Sequence, residues 1–376
     1  MKKITLLFGI LFLMLLVPVF GQTIDFKKRY SIDNIYGIAW RPGVDMYSYI
    51  DDDQNIMLVN AKTGKETVLI SSTTRKGHGI TSAYGYEWID ANTLYFPRDH
   101  RVLTLLKGNE TESYVFDKVD WDDVIDQDVK HKVFVVKNDK GVFVESALNG
   151  FKPILLCPDT GKNIVFGESV HRSEWGIDEG QYISPNGNYI AFYRMDESMV
   201  EDYPLVNTST PIATVENIKY PMAGRTSHVV TVGIFDVAKS AEKGAPVYHY
   251  IQTDKADGEF LTNVTFSPDE KYLYITHLNR EQNHSKLIRY DLQTGQKLRV
   301  LIEEKDNRYV EPTRRMIFLK NGNFLWFSDR DGWKHLYLYM HDSRLVKKVV
   351  DGKFDIIEYY GMDKDEKNIY FTASLE

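Results

Sequence analysis

The chain has 376 residues, 43% hydrophobic and 13% aromatic, with one cysteine and a formal net charge of −7. That composition is ample for packed cores, its acidity disfavours nucleic acid as a partner, and a single thiol, Cys157, excludes an internal disulfide. One core stops growing at roughly 250 to 300 residues, so the chain holds either two domains or a ring of repeats.

At the amino terminus Lys2-Lys3 precede an almost unbroken apolar run from Ile4 to Phe20, followed by Gly21-Gln22. A basic start, a short apolar stretch and a small residue read as a secretory signal peptide over residues 1–21. A membrane anchor fits less well, because seventeen residues interrupted by Pro18 are marginal for a spanning helix. No cysteine follows to carry a lipid. The expectation is an exported chain, periplasmic or on a bacterial cell surface, whose residues 22–376 fold and whose charge becomes −9 once Lys2 and Lys3 are removed.

From Trp40 onward one phrase recurs: an aromatic or apolar residue, a Pro- or Asp/Asn/Gly-containing turn, then alternating aromatic and aliphatic residues. Trp40-Arg41-Pro42-Gly43 leads to Met46-Tyr47-Ser48-Tyr49-Ile50, and Trp88-Ile89-Asp90-Ala91-Asn92 leads to Thr93-Leu94-Tyr95-Phe96. A weaker copy runs from Asp126 to Val136. Tyr182-Ile183-Ser184-Pro185-Asn186-Gly187 reads as a hairpin corner, since Pro presets φ and Asn-Gly accepts positive φ. Further copies begin at Phe266, Phe318 and Met362. Most are followed by a second alternating strand, a turn and a short apolar strand, as in Ile56 to Asn60, Lys62-Thr63-Gly64 and Val68 to Ile70.

Three or four short alternating strands per unit, without an amphipathic helix, predict antiparallel blades of an all-β β-propeller. Two β-sandwich domains are the alternative. The copies start 48, 38, 56, 84, 52 and 44 residues apart, close to a blade length of about 40 to 50 residues apart from the fourth interval. An insertion between Arg194 and His228, without a strand pattern of its own, accounts for that interval. The count is six whole blades and the opening strands of a seventh, so the chain is expected to be a truncated propeller.

The stretch from His171 to Gly180 mixes charged and aromatic residues, as in a binding loop on a rigid scaffold. Its run Val170-His171-Arg172-Ser173-Glu174-Trp175-Gly176-Ile177 joins several others: Ile190 to Asp196, Ser198-Met199-Val200, Asp202 to Val206, Lys219 to Gly224, Tyr309 to Pro312 and Phe324 to Tyr339. Together they resemble the dipeptidyl peptidase IV type of serine exopeptidase in the prolyl oligopeptidase clan, and look most like its bacterial dipeptidyl and prolyl tripeptidyl members.

The resemblance implies an eight-bladed propeller followed by a C-terminal α/β-hydrolase domain, with the active site between them. It implies that Glu174 binds the amino terminus of a peptide substrate, a role a carboxylate can fill by pairing with the ammonium. The implied function is the substrate-gating, terminus-binding part of a secreted peptidase releasing di- or tripeptides with proline near the amino terminus. A stand-alone propeller binding a protein or ligand, or a decayed gene fragment, is the alternative.

The animal members carry consecutive glutamates where Ser173 and Glu174 stand here. For the arginine that holds the substrate carbonyl, Arg98, Arg101 and Arg172 remain candidates. No G-x-S-x-G occurs, so no catalytic serine, aspartate or histidine is assigned and the chain alone is expected to be inactive. The ten histidines form no H-x-x-x-H or HExxH pair, and neither metal nor cofactor is expected. The partners implied are the peptide, the hydrolase domain and a second copy of the chain.

Overall fold

The computed structural model describes residues 36–107, 110–158 and 163–374; the segment read as a signal peptide lies outside them. The chain divides into two compact units, Met1–Tyr114 and Val115–Glu376.

In the first unit, β1 (Tyr36–Trp40), β2 (Met46–Ile50), β3 (Ile56–Asn60) and β4 (Glu66–Ile70) form one antiparallel sheet in chain order. A second follows from β5 (Glu87–Asp90), β6 (Thr93–Phe96), β7 (Arg101–Leu105) and β8 (Thr111–Val115). The core lies between them, where Ile50, Ile56 and Ile70 meet Tyr86, Leu94 and Phe96. The short helix α1 (Ser72–Gly77) connects the two, started by Ser71, whose hydroxyl accepts from Thr74 N–H at 3.0 Å.

The second unit repeats the plan. Its sheets are β9 (Val124–Asp128) to β12 (Ile154–Pro158), β20 (Phe260–Phe266) to β23 (Lys297–Lys305), and β24 (Ile317–Phe318) to β27 (Leu345–Lys348). Between the first two lies a five-stranded sheet of β13 (Ile164–Phe166), β14 (Gln181–Ile183), β15 (Tyr189–Asp196), β18 (Val229–Asp236) and β19 (Tyr248–Tyr250). The pair β28 (Ile356–Met362) and β29 (Ile369–Ala373) comes last. The architecture is all-β, a propeller of successive blades, and the described residues make six blades of four or five strands plus this pair.

Successive side chains point to opposite faces, and inner strands such as Val133–Val136 and Phe324–Phe327 are apolar at consecutive positions, so both faces of a blade are buried where neighbouring blades stack. Val133, Val135 and Val144 pack against Ile190, Phe192 and Phe235. Ala191, Tyr193 and Val232 pack against Leu261, Leu273 and Ile275. Tyr274 and Leu287 meet Phe324 and Trp326 in the same way.

The turns are tied as well. Glu270 accepts from Asn186 N and Asn188 Nδ2 of the preceding blade, both at 2.7 Å, and Glu366 accepts from Lys320 N at 2.9 Å.

The segment between Arg194 and His228 differs from expectation. It carries a two-stranded ribbon, β16 (Asp202–Asn207) paired with β17 (Thr214–Lys219), whose first strand is exposed throughout. With little of the ribbon buried, there is no apolar alternation to read from the sequence. Two short helices were also not foreseen, α1 and α2 (Val237–Lys243).

Candidate functional site

Glu174 stands on a loop inserted into one strand position of the five-stranded blade. β13 pairs with β15 at residues 194 to 196, and β14 pairs with the same strand at 190 to 192. The single residue left between, Tyr193, holds both ends of the excursion: Gly167 N–H donates to its carbonyl and its N–H donates to Gly180 O, each at 2.9 Å. Residues 167–180 are therefore a compact Ω-loop with a one-residue neck. The neck is tight, since a Cβ on Gly180 would lie 2.1 Å from Glu168 N.

Inside the loop the backbone is unusual. His171, Arg172, Ser173 and Trp175 have φ of 51°, 59°, 60° and 55°, a left-handed conformation that costs a non-glycine residue roughly 1–2 kcal/mol each. Burial of three side chains offsets that cost: His171, Trp175 and Ile177 are buried while Arg172, Ser173 and Glu174 face solvent. Trp175 stacks on Phe260 with centroids 4.6 Å apart, and its carbonyl accepts from Thr262 Oγ1 at 3.1 Å. Gly176, at φ 75°, lies so close to the next segment that a Cβ would meet Thr313 O at 2.3 Å. The loop is thus held as firmly as core.

Two histidines far apart in sequence complete the anchorage. Leu261 N–H donates to His171 Nε2 at 3.2 Å, so the His171 proton sits on Nδ1, which donates to His228 Nε2 at 2.8 Å. Both rings must be neutral in this arrangement. Accordingly, burial and the neighbouring His228 hold His171 well below its ordinary value, while burial and Arg280 lower His228.

At the crest, among the described residues, no side chain bonds or pairs with the Glu174 carboxylate. Its neighbour Arg172 lies 4.5 Å over the Tyr220 ring, just beyond the ribbon. On the descending side Asp178 and Glu179 face Arg315 at 3.9 and 3.4 Å, and that guanidinium lies 4.3 Å over Tyr182. Burial pushes Asp126 up to about 6, the nearby Glu179 adding to the effect.

The structure brings two sequence candidates, Glu174 and Arg172, onto one loop. Arg98 is exposed in the turn Pro97–Asp99, and Arg101 opens β7 with its guanidinium against Gly79; both belong to the first unit. Sequence reading gave no role at the loop to Tyr193, His228 or Tyr220; Tyr193 and Tyr220 lie in runs that carry the resemblance, but all three reach the loop only through tertiary pairing. An exposed carboxylate without a partner, on a loop fixed at neck and flank, can accept a cation such as a primary ammonium. Among the described residues no group of three or more His, Cys, Asp or Glu side chains is arranged to hold a metal.

The family model of the dipeptidyl peptidase IV N-terminal region matches residues 125–376. A solved Bacteroides ovatus protein, assigned as a dipeptidyl aminopeptidase IV, superposes with a TM-score of 0.72 at 30% identity, over 90% of this chain and 50% of that one. Porphyromonas gingivalis dipeptidyl peptidase 4 shares the fold, with a TM-score of 0.63 at 18% identity over 90% of this chain and 50% of its own. Among curated relatives, dipeptidyl peptidase 4 of Trichophyton rubrum is 24% identical over 51% of this chain and 26% of its own length. A dipeptidyl-aminopeptidase B of Phaeosphaeria nodorum is 22% identical over 93% and 45%. The chain thus spans less than half the length of these curated relatives.

Proposed function

Since the chain belongs to the dipeptidyl peptidase IV N-terminal region family, we propose that it holds and gates peptide substrates for an exported serine exopeptidase, with Glu174 pairing the free amino terminus. The observation that carries this reading is the unpartnered Glu174 carboxylate at the crest of a loop whose base is rigid. Fixing the ammonium at a set place determines how many residues reach a catalytic serine, and so makes the enzyme an exopeptidase. The catalytic serine belongs to the α/β-hydrolase domain that this reading assigns to the full-length protein. Substrates carry proline near their amino terminus, and the site of action is the periplasm or cell surface.

Truncating one partner of a desolvated charge pair costs about 2 to 5 kcal/mol. With the hydrolase domain present, Glu174→Ala should lower kcat/KM on free-amine substrates by about ten-fold to several thousand-fold. Acetylated substrates, which lack the ammonium, should not distinguish variant from wild type. Equal loss on free and acetylated substrates, or no loss on either, would remove Glu174 from this role.

The same reading makes the ribbon β16–β17 the contact with a second copy, because Leu205, Val206, Ile212 and Val215 are exposed on it. Val206→Asp with Val215→Asp should shift sedimentation from dimer to monomer; an unchanged profile would place the contact elsewhere.

A further inference from the structure

Beside buried His171, and lined by its half-buried partner His228, lies a cleft of about 460 Å³. Its charged groups are mostly satisfied. Arg225 bonds Glu201, Lys255 pairs with Glu259 at 2.8 Å, and the Asp254 carboxylate accepts from Ala256 N at 2.9 Å. Three lining groups are not. Arg280 has no carboxylate partner among the described residues; its guanidinium lies 5.8 Å from the centroid of the Phe260 ring and near His228. Ser227 Oγ is buried without a hydrogen-bond partner. His228 spends Nε2 on His171, which leaves its Nδ1–H as a free donor at the cleft wall.

A guanidinium, a hydroxyl and an imidazole N–H among the lining groups are donors only or donors first, so the complementary ligand is an oxyanion. The volume is several times that of a bare oxyanion, and Val230 and Leu261 supply apolar wall beside the donors. The anion is therefore carried on a larger body. We propose that this cleft is a binding subsite for a carboxylate borne by a short peptide, with Arg280 as the fork, Ser227 and His228 as supporting donors, and His171 as the residue that orients His228.

The arrangement explains why two histidines are kept neutral and in one tautomer. A protonated His228 would turn an N–H against the N–H of His171, and a flipped His171 would leave Leu261 N–H without its acceptor. The carboxylate is thus met by a fixed dipole rather than by a titrating charge, and its binding should not vary between pH 7 and 8. This inference goes beyond the reading of Glu174 and does not depend on it.

The test is calorimetric titration of the purified chain at low ionic strength with peptides acetylated at the amino terminus, which takes ammonium pairing out of the measurement. Acetyl-Gly-Pro-Glu-amide should bind about ten-fold tighter, or more, than acetyl-Gly-Pro-Gln-amide. Arg280→Gln should abolish the difference. Arg280 lies in the turn after β21 (Tyr272–Leu278) and is only half-buried, so its replacement should leave folding intact. Ser227→Ala, the second variant, should reduce the difference. Acetyl-Gly-Pro-Gln with a free carboxyl terminus separates the two sources: binding like the Gln amide confines the site to a side-chain carboxylate, and binding like the Glu peptide shows that a terminal carboxylate is accepted as well. Equal affinity for all three peptides, or a Glu preference that survives both substitutions, would overturn the proposal.

Discussion

At the scale of the residue, the loop and its surroundings spend stability on placement. Asp126 illustrates this with a sign that can be worked out. Its carboxyl is held at about 6 against an ordinary 3.8, chiefly by burial. Between those values the folded chain keeps a proton that the unfolded chain has released, so this group's contribution to stability falls as pH rises through the window. Asp126→Asn should therefore raise the melting temperature at pH 7.5, by a free energy of at most about 3 kcal/mol at 1.36 kcal/mol per pH unit. The gain should vanish well below 3.8, where both states are protonated. Melting curves of the two proteins across that range test it, and a pH-independent gap would show that burial of this carboxyl is not the cause.

At the scale of the element, the Ω-loop is bound to its blade by backbone bonds at Tyr193 and to its surroundings by Trp175, His171 and the close approach of Gly176 to Thr313. Gly176→Ala adds a Cβ where there is no room and a left-handed strain of roughly 1–2 kcal/mol. The loop is tied to its blade by few backbone bonds where the sheets have full ladders, so in this variant it should release before the sheets do. Amide exchange should speed up across residues 167–180 while β15 and β18 remain protected. Unchanged protection of the loop would mean that the contact with Thr313 is not what holds it. The turns that join the first strands of a blade follow a related rule: Gly187, Glu270, Gly322 and Glu366 occupy one repeat position and all have positive φ. Where glutamate replaces glycine there, the carboxylate bonds the preceding blade's turn, which offsets the strain.

At the scale of the whole molecule, the proposed reading gives this chain the binding of the peptide and leaves acyl transfer to the hydrolase domain. A carboxylate can hold an amine but does not replace a serine nucleophile with its base and oxyanion donors, and no G-x-S-x-G is present. The purified chain should release no chromophore from a Gly-Pro reporter. Any turnover above that of a heat-denatured control would assign it a nucleophile of its own.

The blades were legible in the sequence because alternation along a strand is a local property. β3 and β6 fall on the runs that predict them, since short apolar, β-branched and aromatic runs between turn residues mark strands locally. The hairpin at Ser184 to Gly187 was legible for the same local reason, through Pro and Asn-Gly. Glu174 could be singled out from its neighbours in the chain, but not its freedom from partners. The ribbon was not legible, because strands with little buried surface need no apolar pattern. Nor was the site's support: His171 and His228 are 57 positions apart, and Leu261, Thr313 and Arg280 reach the loop and cleft from later segments. The sequence by itself determined the strand repeat and the family, and named the Glu174 carboxylate as a candidate. Only the tertiary structure decided what orients that carboxylate and which donors are left over, because both depend on how blades stack, and stacking brings together residues that no local periodicity connects.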